Sequence, residues 1–494
     1  MNRTTVSLIA VVTALAAVTG FAAMNAPDAP AADSARAAAR LPVERSSLLC
    51  PAPSTSDLAE TSYTSFTPET QGGAEGKAEL AAAGKESAGS GKTKKDDAKP
   101  VLTPKEPGKP VGGSASGADV PARIGTAQGS LAPGWTVQET TTVTAGSGRG
   151  ILGTTCSAPD TDFWFPAAST ADDRTDYVHL TNPDDSAAVV DIELYGKDGA
   201  LKSEVGEGIQ VQPHASVPVL LSTLLDKPQT DLTVHVSVRS GRVGAALQAA
   251  DDKLGADWLA PSTDPTGTLV MPGIPKDATS VRLVAFAPGQ DDADLKVQLV
   301  APNGPVSPAG NETLHIKSGM TAAVDLGDVT KGEPGSLLLT PTERSVPVVA
   351  ALRVVRGKGD KQETAFIPAT APVSTRATAA DNRAKGCTLT LVAPSAAAEV
   401  KVTASPGTGG GSPVTKTYTV KARTTLEAKP PVPGGLKGTY ALTVETVSGG
   451  PVHASRLLEL PEGGVPMFTV QTLPDDRGTV AVPAAEPDLS VLVK

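Results

Sequence analysis

Apolar and polar side chains alternate with a period of two over much of this chain. Val190, Ile192 and Leu194 share one face of a stretch whose other face is Asp191, Glu193 and Tyr195. Leu295, Val297 and Leu299 oppose Lys296 and Gln298, and Val400, Val402 and Ala404 oppose Lys401 and Thr403. One apolar face at that period predicts half-buried β-strands. Each stretch runs into residues suited to tight turns: Asp198-Gly199, Asn303-Gly304 and Gly409-Gly410-Gly411. A longer hairpin then follows, Leu232 to Leu247, Ser336 to Leu352 and Thr439 to Leu457. No amphipathic helical pattern stands out after residue 120.

The strands recur as a unit. Val178-His179-Leu180-Thr181-Asn182-Pro183 matches Leu283 to Pro288 and Leu389 to Pro394, and the three prolines stand 105 and 106 residues apart. A fixed period marks a repeat architecture, here with the length of a small domain. A fourth copy is predicted at the front, its first strand Ser46 to Cys50, with Cys50-Pro51 in the place of Asn182-Pro183. The expected fold is all-β: about four tandem immunoglobulin-like β-sandwiches, at residues 45–168, 169–265, 266–370 and 371–494. The alternative is a propeller-like closed repeat ring, because Gly478 to Pro483 resembles Gly267 to Pro272 and Leu489 to Val493 reads as a final edge strand.

Two segments fall outside this pattern. Residues 70–120 hold Gly, Ala, Ser, Pro and eight lysines between Lys77 and Lys109, and are expected to be a disordered insertion in the first copy. The insertion reads as a solvated loop, or as a basic tether to anionic wall polymers. At the front, Met1-Asn2-Arg3 precedes an uncharged run from Thr4 to Met24, and Ala29-Pro30-Ala31 offers a cleavage site. Residues 1–31 are therefore expected to be a secretory signal or a retained membrane anchor. A net charge of −10 gives no reason to expect nucleic acid as a partner.

Export makes disulfides possible. Of the three cysteines, Cys50 and Cys156 fall at the ends of the first copy's first and last strands and are expected to be bonded. Cys387 is in phase with Leu389 and Leu391 and is expected to be a buried free thiol. No cysteine or histidine spacing suits a metal, and no cofactor is expected. His179, His235, His315 and His453 fall on the polar phase of their strands. Acid pairs recur in turns (Asp172-Asp173, Asp184-Asp185, Asp251-Asp252, Asp291-Asp292, Asp475-Asp476), and read as turn residues sooner than calcium ligands. Trp164, Trp258 and Phe366 precede the joints between copies and read as structural plugs, the alternative being a platform for sugar rings.

The unit from Tyr177 to Pro183, its alternating strand Val189 to Gly199 and the joint Trp258-Leu259-Ala260-Pro261 resemble the repeats of an uncharacterised family of actinobacterial exported proteins. The resemblance implies export and tandem β-domains and carries no site residues. The third joint departs from it, with Phe366-Ile367-Pro368 in place of the tryptophan. The expected function is a non-enzymatic cell-envelope protein, a scaffold or binding array for cell-wall polysaccharide or another envelope protein, touching membrane only through the N-terminal segment. The alternative is an exported carbohydrate-active or wall-modifying enzyme. Such an enzyme needs paired carboxylates in a cleft among aromatics, and aromatics are 3% of this chain.

Overall fold

The computed structural model describes residues 39–69, 75–85 and 99–482. Their regular structure is β throughout, apart from single 3-10 turns at Gly129–Leu131 and Leu221–Leu224. No helix among the described residues is long and apolar enough to cross a membrane. The expected leader at 1–31 and the expected final strand Leu489 to Val493 lie outside the described residues. A ribbon pairs Ala39–Pro42 with Thr479–Val482. It belongs to one compact unit, and residues 42–478 form the other, the body.

The body holds four sandwiches of one topology. In the second, an opening strand, Asp162–Ala168, pairs with Leu232–Ser240, which pairs with Ala188–Gly196. The facing sheet orders Gly255–Leu259, Gly244–Asp251, Arg174–Thr181 and Ala215–Leu220. Alternation explains the packing: Val190, Ile192 and Leu194 enter one core with Val178, Leu180 and Leu247. The third copy repeats the order with Leu269–Ile274, Gly335–Pro341 and Ala293–Ala301 against Lys361–Pro368, Val349–Lys358, Ala278–Phe286 and Thr321–Gly327. The fourth uses Ala377–Asn382, Tyr440–Gly449 and Ala398–Gly407 against Phe468–Thr472, His453–Glu459, Cys387–Ala393 and Thr424–Ala428. All described sheets are open and none closes into a propeller, so the units are sandwiches and not blades, although the copies do pack in a cycle.

The first copy corrects three expectations. Its sheets are Arg45–Cys50, Arg123–Gln128 and Lys77–Ala82 against Gly150–Thr155, Thr136–Val143, Glu60–Phe66 and Val111–Ser116. Ser46 to Cys50 thus lies in an opening strand, and Glu60–Phe66 is the counterpart of Arg174–Thr181. Thr67-Pro68, not Cys50-Pro51, takes the place of Asn182-Pro183. Both strands end in an X-Pro step, and Glu60–Phe66 is too polar to show alternation. Likewise Asp162–Ala168, which repeat matching puts at the end of the first copy, is paired inside the second.

The stretch 70–120 is not a disordered insertion as a whole. Lys77–Ala82 and Val111–Ser116 are strands of the first sandwich, anchored by Leu80 and Leu102, both buried. Two apolar anchors among many small residues suffice because the strands pair with Arg123–Gln128 and Glu60–Phe66. Gly84–Lys85 then adds in parallel to the edge of the second copy at Ala215–Ser216. Residues 70–74 and 86–98 lie outside the described residues.

The four sandwiches close on one another. Their closing strands Gly150–Thr155, Gly255–Leu259, Lys361–Pro368 and Phe468–Thr472 pack side by side in a cycle, the fourth returning to the first. Counting from the shared proline, Gly153, Trp258, Phe366 and Val470 occupy one position, opposite Thr140, Gln248, Arg353 and Leu457. Each reaches into the preceding copy. Phe366 joins the second copy's core and Val470 the third's. Trp258 packs with Ala59, Val143 and Leu152 of the first. A Cβ at Gly153 would lie 2.6 Å from Thr469 Cγ2 of the fourth, so only glycine fits there.

A second joint repeats around the ring. The residue two before the shared proline is Phe66, Phe286 or Val392. Each packs on the opening-strand sheet of the copy before it: Phe66 on Ala380 and Ala441, Phe286 with Trp164, and Val392 on Val270 and Leu338. Beside it, Thr321 Oγ1 donates to Tyr195 O at 2.8 Å, and Thr425 Oγ1 donates to Val300 O at 2.6 Å. Gly153→Val is expected to lower the melting temperature sharply, since overpacking here costs about 1–3 kcal/mol or more. Calorimetry checks this, and the loss should appear together with separate transitions as the ring opens.

Candidate functional site

The predicted bond is present. Cys50 and Cys156 are joined, with Cα atoms 4.5 Å apart, inside the first core. Leu49 and Ser157 exchange backbone hydrogen bonds beside the bridge, which holds the two strand ends in place. Cys387 is free and buried, and its Sγ accepts the Arg383 N–H at 3.2 Å.

The aromatic residues are plugs, though not all at one position. Trp258 and Phe366 lie on closing strands and Trp164 on an opening strand. Trp164 stacks on His235 at 3.8 Å and lies 5.5 Å from Phe286 of the third copy. The histidines divide. His214 and His315 are exposed beside Asp185 and Asp294. His179 and His453 are buried, against their polar-phase reading, because the neighbouring sandwich covers that face. His179 meets the edge of Trp258 at 5.3 Å, and His453 Nδ1 donates to Thr370 O at 2.9 Å. Burial pulls both imidazoles down to about 4.

The acid pairs serve turns and ion pairs. Asp184 accepts from Arg242 and Asp291 from Arg344. Asp251 caps the N–H groups of Lys253 and Leu254, and Asp475 those of Thr375 and Arg376.

Two acids missed by sequence reasoning lie at the centre of the ring. Asp257 Oδ1 accepts from Gly153 N and Thr469 Oγ1, both at 3.1 Å, and so joins three copies. Burial holds its carboxyl well above the usual range. Glu363 lies against Gly150 and Gly255, where an added Cβ would come within 2.5 and 2.9 Å of its carboxyl oxygens. Burial pushes Glu363 up to about 9, Arg149 draws it down, and Asp257 adds to the rise. Neither residue has surface exposure. Glu363 is therefore protonated at neutral pH. Both acids sit on strands whose copies bear unrelated residues at the same place, which leaves no motif to find.

A concavity lies between the second and third copies, a cleft of about 830 Å³. Its floor is the outer face of the third copy's sheet, where Arg282 and Arg353 stand directly across from each other. Asp231 clamps Arg282 with two bonds of 2.6 Å. Asp176 holds Arg174 at 3.1 and 2.9 Å. Arg149 donates to Lys253 O and Gln362 O at 2.8 and 2.6 Å. Arg353 has no hydrogen bond or ion pair among the described residues. Burial lowers its affinity for the proton and Arg174 adds to that, while the charges of Asp251 and Asp231 oppose it.

A family profile matches residues 111–431, well over half of the chain. The chain belongs to DUF5719, a family of unknown function. The matched span of DUF5719 begins at Val111–Ser116 of the first sandwich and covers the second and third copies completely. It ends within the fourth, before Gly434–Lys437. It thus includes the whole cleft and both central acids. A search of curated proteins finds no match.

Two outcomes follow. Replacing Cys50 and Cys156 together by Ser is expected to destabilise the protein by about 2–5 kcal/mol, read by denaturant unfolding. Glu363 binds its proton more tightly folded than unfolded, where its ordinary value is 4.5. The stability this gives is full below about 4.5 and is lost as pH rises through about 9. His179 and His453 act oppositely: their contribution is full above 6.5 and is lost as pH falls through about 4. Glu363→Gln should flatten the alkaline limb of melting temperature against pH and leave the acid limb in place.

Proposed function

We propose that this chain is a non-enzymatic exported protein of the cell envelope, a rigid scaffold or binding body for a surface partner. One observation carries the reading: four sandwiches lock into a closed ring around a shared centre, with an open cleft at one junction. Such a body presents fixed outer surfaces and a fixed pocket, as a binding protein requires. The Cys50–Cys156 bridge supports export, because such bonds persist in oxidising compartments. The uncharged run Thr4 to Met24 supports it from the other side.

The competing reading, a wall-modifying hydrolase, needs carboxylates that flank a bond from an open cleft. Asp257 and Glu363 are neighbouring acids whose carboxyls are strongly raised, and both are sealed within the ring. Their placement favours packing over hydrolysis. The partner class proposed is cell-wall polysaccharide, with another envelope protein as second choice.

Cell fractionation and affinity electrophoresis test the proposal together. The protein is expected outside the cytoplasm and retarded in gels containing purified wall polysaccharide, without shortening the polymer. A cytoplasmic location, or release of reducing ends, would overturn it.

A further inference from the structure

The junction between the second and third copies breaks the rule that the other three obey. At the position of Arg353, each other copy carries a residue covered by packing or held by its neighbour. Leu457 of the fourth copy enters the third copy's core. Gln248 of the second donates to Pro53 O of the first at 3.1 Å. Thr140 of the first is buried. At Arg353 the joint opens into the cleft of about 830 Å³.

The floor of that cleft is costly for the fold as it stands. Arg282 faces Arg353 across the sheet, and Arg174 lies close enough to disfavour its charge. Arg282 and Arg174 are each bonded to a carboxylate, whereas Arg353 is bonded to none among the described residues and feels Asp251 and Asp231 only at longer range. A partly desolvated cation without a bonded partner weakens a fold, and such violations concentrate at functional sites. The bonded partner that Arg353 lacks has a natural source in a ligand, since a guanidinium matches a carboxylate or phosphate with two parallel hydrogen bonds.

We propose that this cleft binds an oxyanion carried on a hydroxyl-rich ligand, a carboxylate- or phosphate-bearing saccharide or polyol unit, with Arg353 as the anion's principal contact. The cleft has the volume usual for small-molecule sites, about 300–1,000 Å³. Its lining also bears Asp173, Asp252, Asp325 and Asp360, acceptors to which the hydroxyls of a ligand would donate. Carboxylates there would also repel a bare polyanion, so one charged group on a neutral, hydroxylated body fits best. The inference rests on the binding role proposed above and supplies its ligand class.

Titration calorimetry on the full chain tests it with glucuronic acid, glycerol 3-phosphate and glucose as probes. The wild type should bind at least one of the two anions and show no binding of glucose. The anion preferred identifies carboxylate or phosphate as the source. Arg353→Leu, the residue of the fourth copy, should weaken binding about tenfold or more and leave the melting temperature equal or higher. Arg353→Lys should keep part of the affinity. The proposal is overturned if no anion binds by about 10 mM, if glucose binds equally well, or if Arg353→Leu binds as the wild type does. It is also overturned if Arg353→Leu melts several degrees lower, since the guanidinium would then be structural. A cytoplasmic location would remove the envelope role and leave these titrations untouched.

Discussion

The close approach of four closing strands around one centre governs the molecule. Each strand must be paired in its own sandwich and also packed against the strands of two neighbours. That double duty fixes Gly153, where a side chain would strike the fourth copy, and Gly150 and Gly255, which leave room for Glu363. It also brings Asp257 to a point where one oxygen accepts from the first and fourth copies together. Once these strands are seated, the positions of the opening-strand sheets follow. Phe66, Phe286 and Val392 then meet the sheet of the preceding copy as equivalent plugs.

The ring gives the polar faces a second meaning. In an isolated sandwich the outward phase of each strand faces water. Here much of it faces another sandwich, so Thr321, Thr425, His179 and His453 are buried although they alternate with core residues. Small hydroxyl residues suit such a face, since each can satisfy a neighbour's carbonyl at little conformational loss. The low aromatic content has the same origin: close strand packing leaves few places for large rings.

Period-two alternation and a constant spacing of prolines made the strands, the sandwich class and the repeat legible. The bond between Cys50 and Cys156 was legible too, because strand ends that meet in one sandwich have bridge geometry. The first copy was misread where its pattern is weakest. Glu60–Phe66 hides a core strand under polar residues, and Lys77–Ala82 is held by one buried leucine, Leu80. The cleft was not legible at all. Arg353 looks like any polar-phase residue, and its lack of a bonded partner depends on how the second copy meets it. The central acids escaped for the same reason: Asp257 and Glu363 acquire their setting only when separate copies meet.

Closure between the fourth copy and the first has a kinetic consequence. Thr64 meets Thr439, and Asp257 meets Thr469, across separations of 375 and 212 residues. Contacts of such range form late, because the intervening chain must first be ordered. A chain emerging from its N-terminus can complete the first three sandwiches while the central acids still face water. The ring then closes only when Phe468–Thr472 arrives, almost at the end of the body. A chain stalled or cut before that strand retains folded pieces with an open, apolar wall, the state most exposed to association with other incomplete copies.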